Sequence, residues 1–310
     1  MLETLLRDGW AYHDTESERL AGQLEAVAAV ASDQLIRFLQ LSNHTLGENL
    51  ADWQRARRLA EQVLDGRVPT AETHMAWARL SVARFLAGDA ALAIEAELTC
   101  LAAAGDGFRA SLIEARFLLV AAMLGSKRVA DAAAIYNGAL ALARQAGDAA
   151  PYRSVAVASN NLAFEMVEAV SRSPEQQALM TIAADAAHEF WLRCGDWINE
   201  ERALYLKALV ANELGVPNDA LTHANAALAI IDANGARPID AAVLRLARSR
   251  AFALLGDADG RQHEITLADL AAARSPDAAL KAWFAEQRAK AVATAPRDFE
   301  DQSWPNRLGV

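Results

Sequence analysis

The sequence predicts an all-α fold, an α-solenoid of stacked antiparallel helix pairs, from its glycine spacing and its composition. One series of glycines usually precedes aspartate: Gly105, Gly147, Gly195 and Gly235. A second series follows Ala or Leu: Gly88, Gly125, Gly215 and Gly256. Successive members of the first series lie 42, 48 and 40 residues apart. Recurrence at such periods is typical of helical repeats, in which each unit packs mainly on its neighbours.

The composition agrees with this fold class and limits the function. At 310 residues and 53% hydrophobic, the chain can bury a large core. Good helix formers dominate, and runs of β-branched residues are nearly absent. The formal net charge of −10 argues against nucleic acid as a partner, because phosphate binding needs clustered Lys and Arg. No stretch is apolar and long enough to predict a membrane span.

The cysteine content and the N-terminal residues predict a cytoplasmic location. Cys100 and Cys194 are too few and too far apart for a disulfide framework. The first residues lack the basic and then apolar pattern of a secretory signal.

The clearest unit runs from Asn199 to Asn234. Its first helix, Glu200 to Leu214, carries Ala and Leu at helical spacing. Gly215 can end that helix, because glycine adopts the left-handed conformation without a steric penalty. Pro217 can open the second helix, where its missing N–H is not needed, and Gly235 closes it.

This unit resembles the tetratricopeptide repeat, in a longer-helix subclass with a period of roughly 40 residues. The pattern is a large residue, then Leu and a small residue, a glycine turn, and Ala with an aliphatic residue. The best copies are Trp77, Leu80, Ser81, Gly88-Asp89, Ala93-Ile94 and Leu204, Ala208, Gly215, Ala220-Leu221, Ala227-Leu228. The resemblance covers about residues 33–270. It implies a right-handed superhelix whose concave wall is formed by the first helix of each pair.

Four parts are predicted along the chain. Residues 1–66 are predicted to form N-terminal helices and a divergent first repeat, and residues 67–274 to form the repeats. Residues 275–296 are predicted to form a capping helix. Residues 297–310 are predicted to form an irregular tail, which is either docked by Trp304 or disordered. Thr15 to Glu18 form a capping-box signature for a helix that extends to about residue 31. Ser275 to Asp277 are a typical helix start, with a capping residue, proline and an acid.

The resemblance also implies which residues face a partner in the groove. By repeat register, these include Met75, Val82, Phe85, Asn160, Phe164, Arg202, Tyr205, Asn212, Val243, Leu246 and Arg250. The basic and amide set with which some family members hold a C-terminal carboxylate is not reproduced. The N-terminal half of the groove is apolar, so we expect the chain's own helices, a second subunit or an amphipathic partner to cover it.

Catalytic and metal-binding motifs are absent from the sequence, and no cofactor or metal is predicted. Asp257 to Gly260 hint at a calcium loop but favour an inter-helix turn. His13 with Asp14, and His188 with Glu189, could do acid–base work or bind metal, but spacing alone supplies neither pair with a second ligand.

The leading hypothesis is a non-catalytic scaffold that binds a protein or peptide in its groove. A homodimer is an alternative way to cover the groove. A second hypothesis is a regulatory sensor that binds a small molecule or short peptide. The third is an all-helical enzyme that uses His188, Glu189 or Cys194.

Overall fold

The computed structural model describes residues 2–147 and 151–293. All regular structure in these two ranges is helical, which confirms the predicted all-α class. No described helix is both long and apolar enough to cross a membrane. The predicted tail at 297–310, with Trp304, lies outside the described residues.

Short connections join the helices in sequence. The α-helices are α1 (Leu2–Asp8), α2 (Ser17–Glu25), α3 (Leu35–Ser42), α4 (Trp53–Leu64), α5 (Met75–Leu86), α6 (Ala90–Ala104), α7 (Phe108–Gly125), α8 (Val129–Gln145), α9 (Tyr152–Glu168), α10 (Pro174–Cys194), α11 (Trp197–Glu213), α12 (Pro217–Asn234), α13 (Pro238–Leu254), α14 (Ala258–Ala273) and α15 (Ala278–Ala293). Short 3₁₀ helices lie at Gly9–Ala11, Ser32–Gln34 and Gly105–Gly107. A π-helix at Asn43–Asn49 continues α3.

Consecutive helices pack in pairs: α5 on α6, α7 on α8, α11 on α12 and α13 on α14. First helices of neighbouring pairs also meet, as α5 does with α7 and α11 with α13. This sequential packing is compatible with a helical repeat.

The helices form two compact units, and the boundary between the units passes through α9 and α10. Unit 1 comprises Met1–Leu162 and Val170–Leu179, and unit 2 comprises Ala163–Ala169 and Met180–Val310, within the described residues. In unit 2, one core cluster joins Leu204 of α11, Leu228 of α12 and Leu244 of α13.

The glycine turns after the first helices are mostly Schellman caps. Gly215 has φ +71°, and its N–H donates to Asn212 O while Val216 N–H donates to Ala211 O. The same pair of bonds recurs at Gly88 and Gly256. The turn after Gly125 differs, because the left-handed residue there is Lys127, with φ +60°. Arg128 N–H donates to Met123 O across it, so the cap forms two residues after the glycine that marks it in the sequence.

Lys127→Gly should therefore stabilise the protein. A side chain in the left-handed region is unfavourable by about 1–2 kcal/mol, and the greater freedom of glycine in the unfolded chain offsets part of the gain. We expect the free energy of unfolding to rise by about 0.5–1 kcal/mol in urea denaturation. Lys127→Ala is the control, since it removes the same side chain but keeps a Cβ. Equal stability of the two variants would contradict this explanation.

The N-terminal region departs from two predictions. The helix expected to reach about residue 31 ends at Glu25. The predicted capping box does not form, because Thr15 Oγ1 donates to Tyr12 O at 3.4 Å and does not cap the helix. No side chain caps α2.

The predicted C-terminal helix is present as α15, and Asp277 Oδ1 accepts from Leu280 N–H at its start. It packs mainly on α13, where Phe284 is buried in one core cluster with Val243 and Leu246. Val243 and Leu246, which the repeat register placed on the groove wall, are therefore buried in the core.

Candidate functional site

The predicted groove residues of unit 1 differ in exposure. Met75, Phe85 and Asn160 are half-buried. The Arg128 guanidinium lies 5.5 Å from the centre of the Phe85 ring. Val82 is buried and lines a small cavity, so it presents little surface to a partner.

Two of the predicted groove residues in unit 2 hold helices together. Asn212 is buried, and its Nδ2 donates to Ala247 O of α13 at 2.9 Å. Arg250 pairs with Glu213 of α11 at 2.5 Å. Both side chains therefore join α11 to α13.

The Asn212 bond has a counterpart in unit 1. Asn43 Nδ2 donates to Arg79 O at 2.9 Å and thereby joins the π-helix to α5. Each bond links one first helix to the first helix of the next pair, and each leaves a buried Oδ1 without a hydrogen bond. The recurrence supports a repeated helix arrangement with a structural asparagine.

Three predicted groove residues of unit 2 keep exposed side-chain surface: Phe164, Arg202 and Tyr205. The Phe164 side chain is exposed, and Tyr205 is partly buried between two core clusters. The Arg202 side chain is 55% exposed, and its nearest carboxylate oxygens are 3.5 Å away on Asp240 and 3.7 Å away on Glu201. At these separations the ion pairs are loose.

Glu201 and Asp240 bring two carboxyl groups together beside Arg202. The Glu201 side chain is 1% exposed, and its Oε1 has no hydrogen-bond partner. Burial and the neighbouring Asp240 carboxylate raise the pKa of the Glu201 carboxyl to about 8. Arg237 Nε donates to Asp240 Oδ2 at 2.5 Å. Glu201 is therefore largely protonated near neutral pH.

The surroundings of Tyr205 are acidic. Burial raises the pKa of the Tyr205 hydroxyl, and the carboxylates of Glu168, Asp240 and Glu201 raise it further. The surface defined by Phe164, Glu168, Arg202 and Tyr205 is called the α9–α11 surface below. This surface comprises the exposed aromatic ring of Phe164 on α9, the loosely paired guanidinium of Arg202 on α11 and the acidic groups around Tyr205.

A second polar site lies in unit 1, where the π-helix, α5 and α7 enclose a cavity of about 200 Å³. Its polar or aromatic lining includes Trp10, Asn43, His44, Glu48, Trp53 and Arg79. Burial lowers the pKa of the Arg79 guanidinium to about 10, opposed by the Glu48 carboxylate. Arg79 Nε has no acceptor. A partly buried cation with an unmet donor is suited to a small anion.

This cavity was not predicted from the sequence, because its residues come from separate segments and from a π-helix. Such helices are frequent at functional sites but have no simple periodicity. Gly47 was one available signal, since a Cβ there would lie 2.5 Å from the Trp53 ring.

A larger apolar cleft of about 850 Å³ lies beside α1 and the segment that follows α2. Leu2, Leu5 and Val27 contribute to its lining, and Tyr12 OH donates to Gln23 Oε1 at the polar edge. The cleft offers apolar contact without a convergent set of charged groups.

The candidate catalytic residues of α10 have local contacts in the structure. His188 is half-buried, and burial lowers its pKa. Glu189 accepts from Arg193, and Cys194 Sγ donates to Phe190 O. Asp257 caps α14 by accepting from Gly260 N–H, which agrees with the predicted inter-helix turn.

No model of a known protein family matches this chain. No curated protein is detectably similar to it in sequence.

Proposed function

We propose that this protein is a non-catalytic interaction scaffold that binds a peptide or an amphipathic helix of a partner protein on the α9–α11 surface. The observation that carries the proposal is the state of Arg202, which is largely exposed and holds its nearest carboxylates only at 3.5 and 3.7 Å. A partner carboxylate can form a shorter, charge-assisted bond with this guanidinium than either neighbour does.

Phe164 supplies the apolar part of the proposed contact. It is 42% exposed, and it lies one helical turn before Glu168, whose carboxylate acts on Tyr205. Aromatic residues and arginine are enriched among the residues that dominate binding energy. We therefore expect a partner segment that offers an apolar side chain to Phe164 and a carboxylate to Arg202.

The test is affinity capture from native lysate with the wild type and with Phe164→Ser/Arg202→Glu. The matched control is Phe108→Ser/Arg109→Glu, because Phe108 is 44% exposed and Arg109 lies beside it on the surface of unit 1. The wild type and the control should recover the same partner, and the first variant should lose it. With the purified partner, loss of either anchor should weaken binding by about tenfold or more.

Equal recovery by all three proteins would contradict the proposed surface. Loss in both double variants would indicate a general effect of lower surface hydrophobicity and altered charge. Far-UV circular dichroism should show that each variant keeps its helical content.

The cavity at Arg79 favours a second candidate function, a sensor for a small anionic molecule. Its volume of about 200 Å³ is below the range of drug-sized pockets, so it suits a small carboxylate or an inorganic anion. Thermal unfolding with a panel of small carboxylic acids would test this function, because a ligand that binds the folded chain raises its melting temperature. Stabilisation of the wild type but not of Arg79→Gln would support a sensor.

A further inference from the structure

We propose that His13, Asp14 and His44 form a binding site for a divalent transition-metal ion of the zinc type. One donor atom from each residue lies within 4.8 Å of the other two. The proposal is independent of the α9–α11 surface, because all three residues belong to unit 1. The second histidine, which local spacing could not supply for the His13–Asp14 pair, is on the π-helix 31 residues further along the chain.

The hydrogen bonds of the two histidines orient their rings for metal binding. His13 Nδ1 lies 2.7 Å from Trp10 O, and a carbonyl oxygen can only accept, so Nδ1 carries the proton. In the neutral ring, Nε2 then presents its lone pair. His13 Nε2 lies 3.2 Å from Asp14 Oδ1, which brings two of the proposed ligands together.

The His44 ring is likewise oriented by a hydrogen bond at Nδ1, here to a carboxylate. Its Nδ1 lies 2.6 Å from Glu48 Oε2, one turn further along the π-helix. Donation from Nδ1–H to a carboxylate fixes the tautomer of a metal-binding histidine and makes Nε2 a better ligand. The chain therefore holds a supporting hydrogen bond for each imidazole: a backbone carbonyl for His13 and a carboxylate for His44.

The turn that carries Asp14 is also held in place. Asn49 Nδ2 donates to His13 O at 3.0 Å and to Asp14 Oδ1 at 3.3 Å. The rings of His13 and His44 lie 4.8 Å apart, and the Trp10 ring lies 5.3 Å from each. The two imidazoles are therefore packed together beside an indole, with the carboxylate at the solvent side.

Two imidazoles and one carboxylate suit Zn²⁺, which binds such donors at about 2.0–2.2 Å. Tetrahedral ligand atoms would then be about 3.3 Å apart. His13 Nε2 and Asp14 Oδ1 already have about this spacing, so the donor of His44 must approach them, by at most roughly 1.5 Å. The Asp14 side chain is 73% exposed and is free to rotate toward His44. Three protein ligands leave a coordination position for water.

The experiment is calorimetric titration of the chelator-treated full chain with ZnCl₂. The wild type should bind one ion, and His13→Gln and His44→Gln should weaken that binding by more than 100-fold. Glu48→Gln, which weakens the supporting bond and leaves all three ligands in place, should weaken Zn²⁺ binding by about 10–100-fold. Zn²⁺ should raise the melting temperature of the wild type and not that of His44→Gln.

The matched control is His263→Gln, which removes an exposed histidine of α14. Wild-type affinity in His13→Gln and His44→Gln, or loss of binding in the control, would overturn the proposed site. If the histidine variants fail to fold, Asp14→Asn decides, because its exposed side chain contributes little to packing. Weaker Zn²⁺ binding in Asp14→Asn supports the site, and unchanged binding overturns it.

Discussion

Glu264→Gln should lower the free energy of unfolding of unit 2 by about 3 kcal/mol. The Glu264 side chain is 3% exposed, and its two oxygens pair with Arg245 at 3.3 Å and Arg248 at 3.0 Å. Removal of the carboxylate leaves two partly buried guanidinium groups beside each other without their counter-charge. Such a change is among the most destabilising that a helix interface can undergo.

Urea denaturation followed by far-UV circular dichroism measures this effect. Asp269→Asn is the matched control, because Asp269 also receives two bonds from an arginine, Arg288, but the Asp269 side chain is 43% exposed. Its loss should lower the free energy of unfolding by less than about 1 kcal/mol. Similar losses in the two variants would show that burial does not decide the strength of these ion pairs.

Glu201→Gln should stabilise the protein, and the gain should grow as the pH rises. Burial beside Asp240 raises the pKa of Glu201 from 4.5 to about 8 in the folded chain. Between these values the folded state binds more protons than the unfolded state, so the wild type loses stability as the pH rises through this window. The glutamine is neutral at every pH and can donate an N–H to Asp240. Above pH 8 we expect a gain on the order of 3 kcal/mol.

Urea denaturation at pH 5, 7 and 9 would test this dependence. Glu286→Gln, at an exposed position of α15, removes the same charge without desolvation and should have a small effect. Parallel stability profiles for the wild type and Glu201→Gln would contradict the buried, protonated state of Glu201.

Local sequence signals predicted much of the fold. Pro217 and Gly215 mark helix ends by their own backbone preferences, and the helices begin and end at or beside them. The turn at Lys127 was not predictable in this way, because a lysine in the left-handed region has no distinguishing side-chain preference. Helix pairing followed from these boundaries, because short connections bring consecutive helices together.

The candidate sites were less predictable, because they depend on contacts between distant residues. Asn212 and Arg250 looked like surface contacts by register, yet each is bound by a neighbouring first helix. Phe164 and Arg202 have the exposure that register suggests, although their role stays a prediction. No sequence pattern marked His44 as a metal ligand. Its partners His13 and Asp14 lie in a distant turn, and the π-helix that carries His44 has no simple periodicity.

The bonds from Asn43 and Asn212 have a consequence for tolerance to insertions. Each bond joins residues inside helices, Asn43 to Arg79 and Asn212 to Ala247, so the connecting loops between them are free to vary in length. Doubling such a loop is unfavourable by only about 0.6 kcal/mol. One residue inserted into α5 ahead of Arg79 would instead turn the following side chains by about 100° and move the acceptor carbonyl off the carboxamide. Length changes should therefore be accepted beside Val68, which is 81% exposed in the loop before α5, and rejected inside α5 ahead of Arg79.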